Sequence, residues 1–122
     1  LLKLFNQTFN NYLKHMNSYQ IDRALKNVFD YLSQVNAYVD TQAPWSLKNT
    51  NHERMSNVLY VITLMTIKCS VLLYPVIPSS IIKVLKIYNL SISDLNLTNF
   101  EKFYPNTIKL NKTDPIFPRI EL

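Results

Sequence analysis

The sequence predicts an all-α bundle of four to five helices with an extended C-terminal tail. Three observations predict it. Apolar residues recur at steps of three and four through the first three quarters of the chain. Prolines 44, 75 and 78 fall between those stretches, where each would end a helix. The 122 residues, 48% hydrophobic and 17% charged, suit one packed domain rather than a disordered chain.

The elements follow in order. Leu1 to Met16 reads as an amphipathic helix with Leu1, Leu4 or Phe5, Thr8, Phe9, Tyr12, Leu13 and Met16 on one face and Lys3, Asn6, Asn10, Asn11 and Lys14 on the other. Asn17 and Ser18 punctuate, and a second helix runs from about Tyr19 to Val39 or Thr41. Its inner stripe reads Ile21, Leu25, Val28, Leu32, Val35 and Val39, and Pro44 ends it. Trp45 to Asn49 is a connection. Thr50 with Glu53 three residues on has the form of a capping box, so a third helix starts near Asn51 and continues to about Tyr74, lined by Met55, Val58, Leu59, Ile62, Met65, Cys69, Leu72 and Leu73. Ser79 to about Asn89 is a shorter fourth helix carrying Ile82, Leu85 and Tyr88. One or two further turns are expected around Asp94 and Thr98. The domain division is therefore 1–104 for the helical body and 105–122 for the tail, where Pro115 and Pro118 exclude a regular helix.

Composition excludes several function classes. The chain has no glycine, so it holds no P-loop, no dinucleotide GxGxxG and no GxSxG elbow, each of which needs glycine where backbone bends sharply or meets a phosphate. A single cysteine, Cys69, excludes an intrachain disulfide and a cysteine-based zinc site, and it is expected to be buried and inert. His15 and His52 are too few and too scattered for a metal and read as surface residues. Asp22, Asp30 and Asp40 lie too far apart on one helix for a two-carboxylate mechanism, and Asp30 pairs instead with Lys26 at i, i+4. No nucleophile has a base beside it, so no catalytic residue is assigned. Val58 to Ile77 has the length of a membrane span, but Lys68 near its middle would cost about 2.5–3.5 kcal/mol there, and a buried bundle helix is the expectation. No signal peptide is visible at the start, and Leu1, already mid-pattern for a helix, reads as the start of a piece rather than of a whole gene product. The net charge of +5 favours an anionic partner.

Trp45 is the only tryptophan. Pro44 before it restricts the backbone and fixes where the indole emerges, and Lys48 and Arg54 are close in sequence. A flat aromatic beside cations is a platform for a splayed nucleic-acid base, worth about 1–3 kcal/mol in stacking. Residue type alone argues the other way, because a tryptophan usually packs into a core.

The segment Asn36-Ala37-Tyr38-Val39-Asp40-Thr41-Gln42-Ala43-Pro44-Trp45-Ser46-Leu47-Lys48 resembles the N-x-Y-[IV]-[DE]-x-x-x-P-W-x-L-x-K signature of the anticodon-binding domain of methionyl-tRNA synthetases. Arg23-Ala24-Leu25, Val58-Leu59-Tyr60, Leu72-Leu73-Tyr74-Pro75-Val76-Ile77-Pro78 and Pro115-Ile116-Phe117-Pro118-Arg119-Ile120 resemble further stretches of that family in the same order. The helix stop is shared with related class I synthetase domains. The Pro-Trp pair with the terminal P-x-F-P-R-I favours the methionine enzyme.

The resemblance implies the helical-bundle anticodon-binding fold. It implies a cytoplasmic parent enzyme that uses ATP and magnesium to attach methionine to tRNA, with no cofactor in this domain. The partners it implies are the CAU anticodon of tRNA(Met) and the parent's catalytic domain, with no membrane involved. The RNA-binding residues it implies are Trp45, stacked on the wobble cytosine, with Pro44 beside it, Lys48 either near phosphate or simply solvated, and Asn36 bracing the loop or touching RNA. Phe117 to Ile120 would pack back against the body or the catalytic part. Two parts of the family pattern are missing: the upstream N-x-x-x-R element and the catalytic HIGH and KMSKS motifs, so the chain alone is expected to be inactive. A helical scaffold that binds a protein partner, including a degenerate synthetase paralogue, is the competing reading.

Overall fold

The computed structural model describes residues 2–94 together with Leu110 and Ile116. Among them are four α-helices, α1 (Leu2–Asn17), α2 (Ile21–Gln42), α3 (His52–Leu73) and α4 (Pro78–Ile87), and two short 3-10 turns, Pro44–Ser46 and Ile92–Asp94. No strand occurs among the described residues. The all-α expectation therefore holds there. The expected turn at Thr98 and the tail 105–122 lie outside the described residues, apart from Leu110, which is exposed, and Ile116, which is half-buried. The chain divides into two compact units, Leu1–Cys69 and Ser70–Leu122.

In the first unit α1 and α2 form a helical hairpin across the turn Ser18–Gln20. Lys14 and His15 sit in the last turn of α1, where the helix dipole favours cations. The N–H of Gln20 reaches back to the carbonyl of His15 at 2.8 Å, and that of Tyr19 to Met16 at 3.1 Å. This is a Schellman stop with Tyr19, at φ 60°, in the left-handed position that usually takes glycine. The side chain of His15 braces the same turn, its Nδ1 lying 3.0 Å from Gln20 Oε1, so the residue is half-buried rather than free at the surface.

Phe5, Phe9 and Tyr12 are buried on α1. The buried stripe of α2 is Ala24, Val28, Tyr31 and Val35. This corrects the expected stripe: Val28 and Val35 remain, but Ile21 is exposed and Leu25, Leu32 and Val39 are only half-buried. The reason is that α2 is apolar over an arc wider than it buries. The side of that arc that carries Tyr31 meets the aromatic rings of α1. Phe5 stacks on Phe9 with centroids 6.2 Å apart and meets Tyr31 edge-on at 5.4 Å.

The N-terminus of α3 also departs from expectation. Asn51, not Thr50, caps it: the Asn51 Oδ1 accepts the backbone N–H of Arg54 at 3.0 Å, while the Thr50 hydroxyl donates to the carbonyl of Ser46. An amide oxygen one residue later reaches the third N–H of the helix, so the Thr50–Glu53 box does not form. Leu59, expected inside, is exposed at the outer side of α3. Further along, Leu64, Met65, Ile67, Lys68 and Cys69 are all buried. α3 is long and apolar enough to cross a membrane by length and composition alone, yet 56% of its apolar window is covered by protein. Lys68 is 1% exposed, and its Nζ lies 5.5 Å from the centroid of the Phe5 ring, a cation–π distance. Burial raises the Cys69 thiol to about 12, and it raises the Tyr31 phenol as well, with the neighbouring Cys69 adding to the shift.

In the second unit Val71, Leu72 and Leu73 at the end of α3 are buried, and so are Ile81 and Leu85 of α4. Ile82, expected inside, is exposed, and Tyr88 is half-buried. Pro78 opens α4 as its first residue, a position where the missing N–H has no helical partner to lose.

Candidate nucleic-acid interface

The connection from α2 to α3 is a run of hydrogen-bonded turns. Ala43 stops α2 in the left-handed region, at φ 41° and ψ 63°, and its N–H still donates to the carbonyl of Val39 at 2.9 Å. A residue before proline is pushed out of right-handed helical space, which makes the stop abrupt. Pro44 then starts the 3-10 turn Pro44–Ser46. Both the N–H and the hydroxyl of Ser46 donate to the Ala43 carbonyl, at 2.9 and 2.7 Å. Leu47 N–H donates to Pro44, and Asn51 N–H donates to Leu47 at 2.9 Å, which delivers the chain to the cap of α3.

The side chains divide across this frame. Pro44 is buried. Trp45, directly after it, is 66% exposed. The indole is thus carried on a turn whose base is anchored in the protein and whose backbone is tied on both sides. The preference of tryptophan for a core is overridden because the 3-10 turn points successive side chains in different directions, and proline takes the inward one.

Lys48 is exposed and has no carboxylate partner among the described residues. Asn36 is exposed on α2, six residues before its end, about 9 Å along the axis, and makes no side-chain hydrogen bond there. No bond joins it to the connection. The bond that does span the turn is one the sequence did not announce: the Arg54 guanidinium donates through Nη2 to Oε1 of Gln42. Its partners are twelve residues apart on different helices, and no local pattern pairs them. The expected Lys26–Asp30 pair is present at 2.7 Å on exposed side chains, away from this region of the chain. His52 and Glu53 are exposed in the first turn of α3.

The tied turn thus presents an exposed indole close in sequence to two exposed cations, Lys48 and Arg54. The sequence model of the family described as the anticodon binding domain of methionyl tRNA ligase matches residues 1–120. The chain belongs to this family. Among individual relatives, it is 31% identical over 108 residues to the methionine–tRNA ligase of Rickettsia conorii, covering 87% of this chain and 21% of the relative. It is 30% identical over 132 residues to that of Campylobacter jejuni, covering 99% and 21%. It is 28% identical over 128 residues to that of Fusobacterium nucleatum, covering 98% and 20%. The chain spans about a fifth of the length of the curated relatives it matches.

The glycine-free sequence has no glycine-rich phosphate-binding loop. Among the described residues no three His, Cys, Asp or Glu side chains gather into a metal-binding group.

Proposed function

We propose that this anticodon-binding domain reads the CAU anticodon of tRNA(Met) as part of a cytoplasmic methionine–tRNA ligase. ATP-dependent attachment of methionine would be the work of the parent enzyme's catalytic domain. The single observation that carries the reading is the exposed Trp45 ring on the anchored Pro44 turn. The wobble cytosine stacks on that ring. Pro44 sets the ring's direction and Lys48 approaches a phosphate. Asn36, further up α2, serves a neighbouring nucleotide.

The test is the affinity of the chain for anticodon stem-loop RNAs, measured beside thermal melting. Trp45→Ala should weaken binding of the CAU loop by roughly 5- to 150-fold, the equivalent of about 1–3 kcal/mol of stacking, with an unchanged melting temperature. Binding that ignores the anticodon, or that survives loss of the indole, would contradict the reading. A large fall in melting temperature would make Trp45 a packing residue.

A further inference from the structure

Arg54 stands in the first turn of α3, an end of the helix where the dipole disfavours a cation. It is exposed, and no carboxylate among the described residues pairs with it. Its guanidinium is nonetheless held, by the amide oxygen of Gln42 at the end of α2. The chemistry of that partner matters. A carboxylate in the same place would orient the guanidinium and also cancel its charge. A glutamine amide orients it and leaves the charge whole. Guanidinium carries five N–H donors, and Gln42 takes one of them. Gln42 and Trp45 are three residues apart, so their Cα atoms lie within about 11 Å of each other. The guanidinium is therefore tied to the residue three before the indole, at the end of α2 that leads into its turn. Lys48, the other unpaired cation of this connection, has no such brace.

We propose that Arg54 binds an RNA phosphate beside the base stacked on Trp45, in an orientation set by Gln42. The proposal rests on the RNA-binding reading of Trp45 and adds a residue to it. A phosphate contact carries no base information, so it strengthens binding of every anticodon alike and releases counterions.

The experiment measures the affinity of the whole chain for stem-loops with CAU and with altered anticodons, over a range of salt. Arg54→Gln should weaken all of them by about fivefold to tenfold at low salt. It should leave the CAU preference intact and lower the slope of log affinity against log salt by about 0.7–0.9. Gln42→Glu leaves Arg54 in place but neutralises it, and should weaken binding and flatten the slope in the same way while melting at the wild-type temperature. An unchanged slope in both variants would overturn the proposal and leave the Trp45 reading standing. Loss of the CAU preference in Arg54→Gln at an unchanged slope would also overturn it, since Arg54 would then only hold the turn. A wild-type chain that binds no stem-loop would overturn both readings.

Discussion

Trp45 is exposed because of the residues on either side of it. Ala43 turns the chain left-handed, Pro44 fills the inward position, and Ser46 ties the turn closed with two bonds to one carbonyl. An alanine at φ 41° costs about 1–2 kcal/mol relative to right-handed backbone, so strain is held at the residue before the platform. Ala43→Gly should relieve it and raise stability by about 0.5–1 kcal/mol, read from denaturant midpoints, because the strain removed exceeds the extra freedom glycine gives the unfolded chain. At Cys69 the relevant quantity is proton affinity. The thiol's value rises from 9.0 to about 12 on folding through burial. A raised value means that the folded chain holds the proton more tightly, so the contribution to stability is whole below pH 9 and is lost as pH climbs from 9 towards 12. The phenols of buried Tyr12 and Tyr31 and of half-buried Tyr88 shift the same way, above their ordinary value of 10.0. Stability should therefore fall steadily above pH 9, and Cys69→Ala should make the first part of that fall shallower. The same thiol should resist alkylation at pH 8 until the chain is unfolded.

At the scale of elements, the helices were legible and their caps and inner faces less so. Proline and periodicity placed α1 to α4 to within a few residues. The inner face of α2 was misplaced because Ile21, Leu25, Leu32 and Val39 keep helical spacing as well as the residues that are buried. Periodicity finds an apolar arc, but packing against Phe5 chooses its edge. The cap of α3 was misplaced because Thr50 and Asn51 are both good caps side by side, and only backbone geometry selects one. Asn51→Ala should cost about 1 kcal/mol and Thr50→Ala much less, as measured by thermal unfolding. The glycine-free composition has its effect here too. Three left-handed positions, at Tyr19, Ala43 and Asn89, are filled by side-chain-bearing residues. Tyr19, 92% exposed, loses little packing if removed. Tyr19→Gly should thus stabilise the α1–α2 turn by about 1 kcal/mol, a rise of a few degrees in melting temperature.

For the whole molecule, the net charge of +5 supports the RNA partner proposed above. Among the described residues Lys26 forms an ion pair with Asp30, Arg54 is held by the Gln42 amide, and Lys3, Lys14, Arg23, Lys48 and Lys83 have no carboxylate partner. Three phosphate contacts from such cations would make RNA affinity fall by about twentyfold to fortyfold between roughly 50 and 200 mM salt. The family was legible in the sequence because the Pro-Trp segment and the helix stop are contiguous. The Gln42–Arg54 bond was not, since it joins two helices across a turn whose shape only the fold supplies. Trp45 is the sole tryptophan, so its fluorescence reports on the proposed site alone. The most direct measurement titrates the chain with a CAU stem-loop and with the same loop lacking the wobble base. Stacking should quench the indole strongly with the first RNA and only weakly with the second. Equal quenching by both, or binding that leaves the emission untouched, would contradict an indole that receives the wobble cytosine.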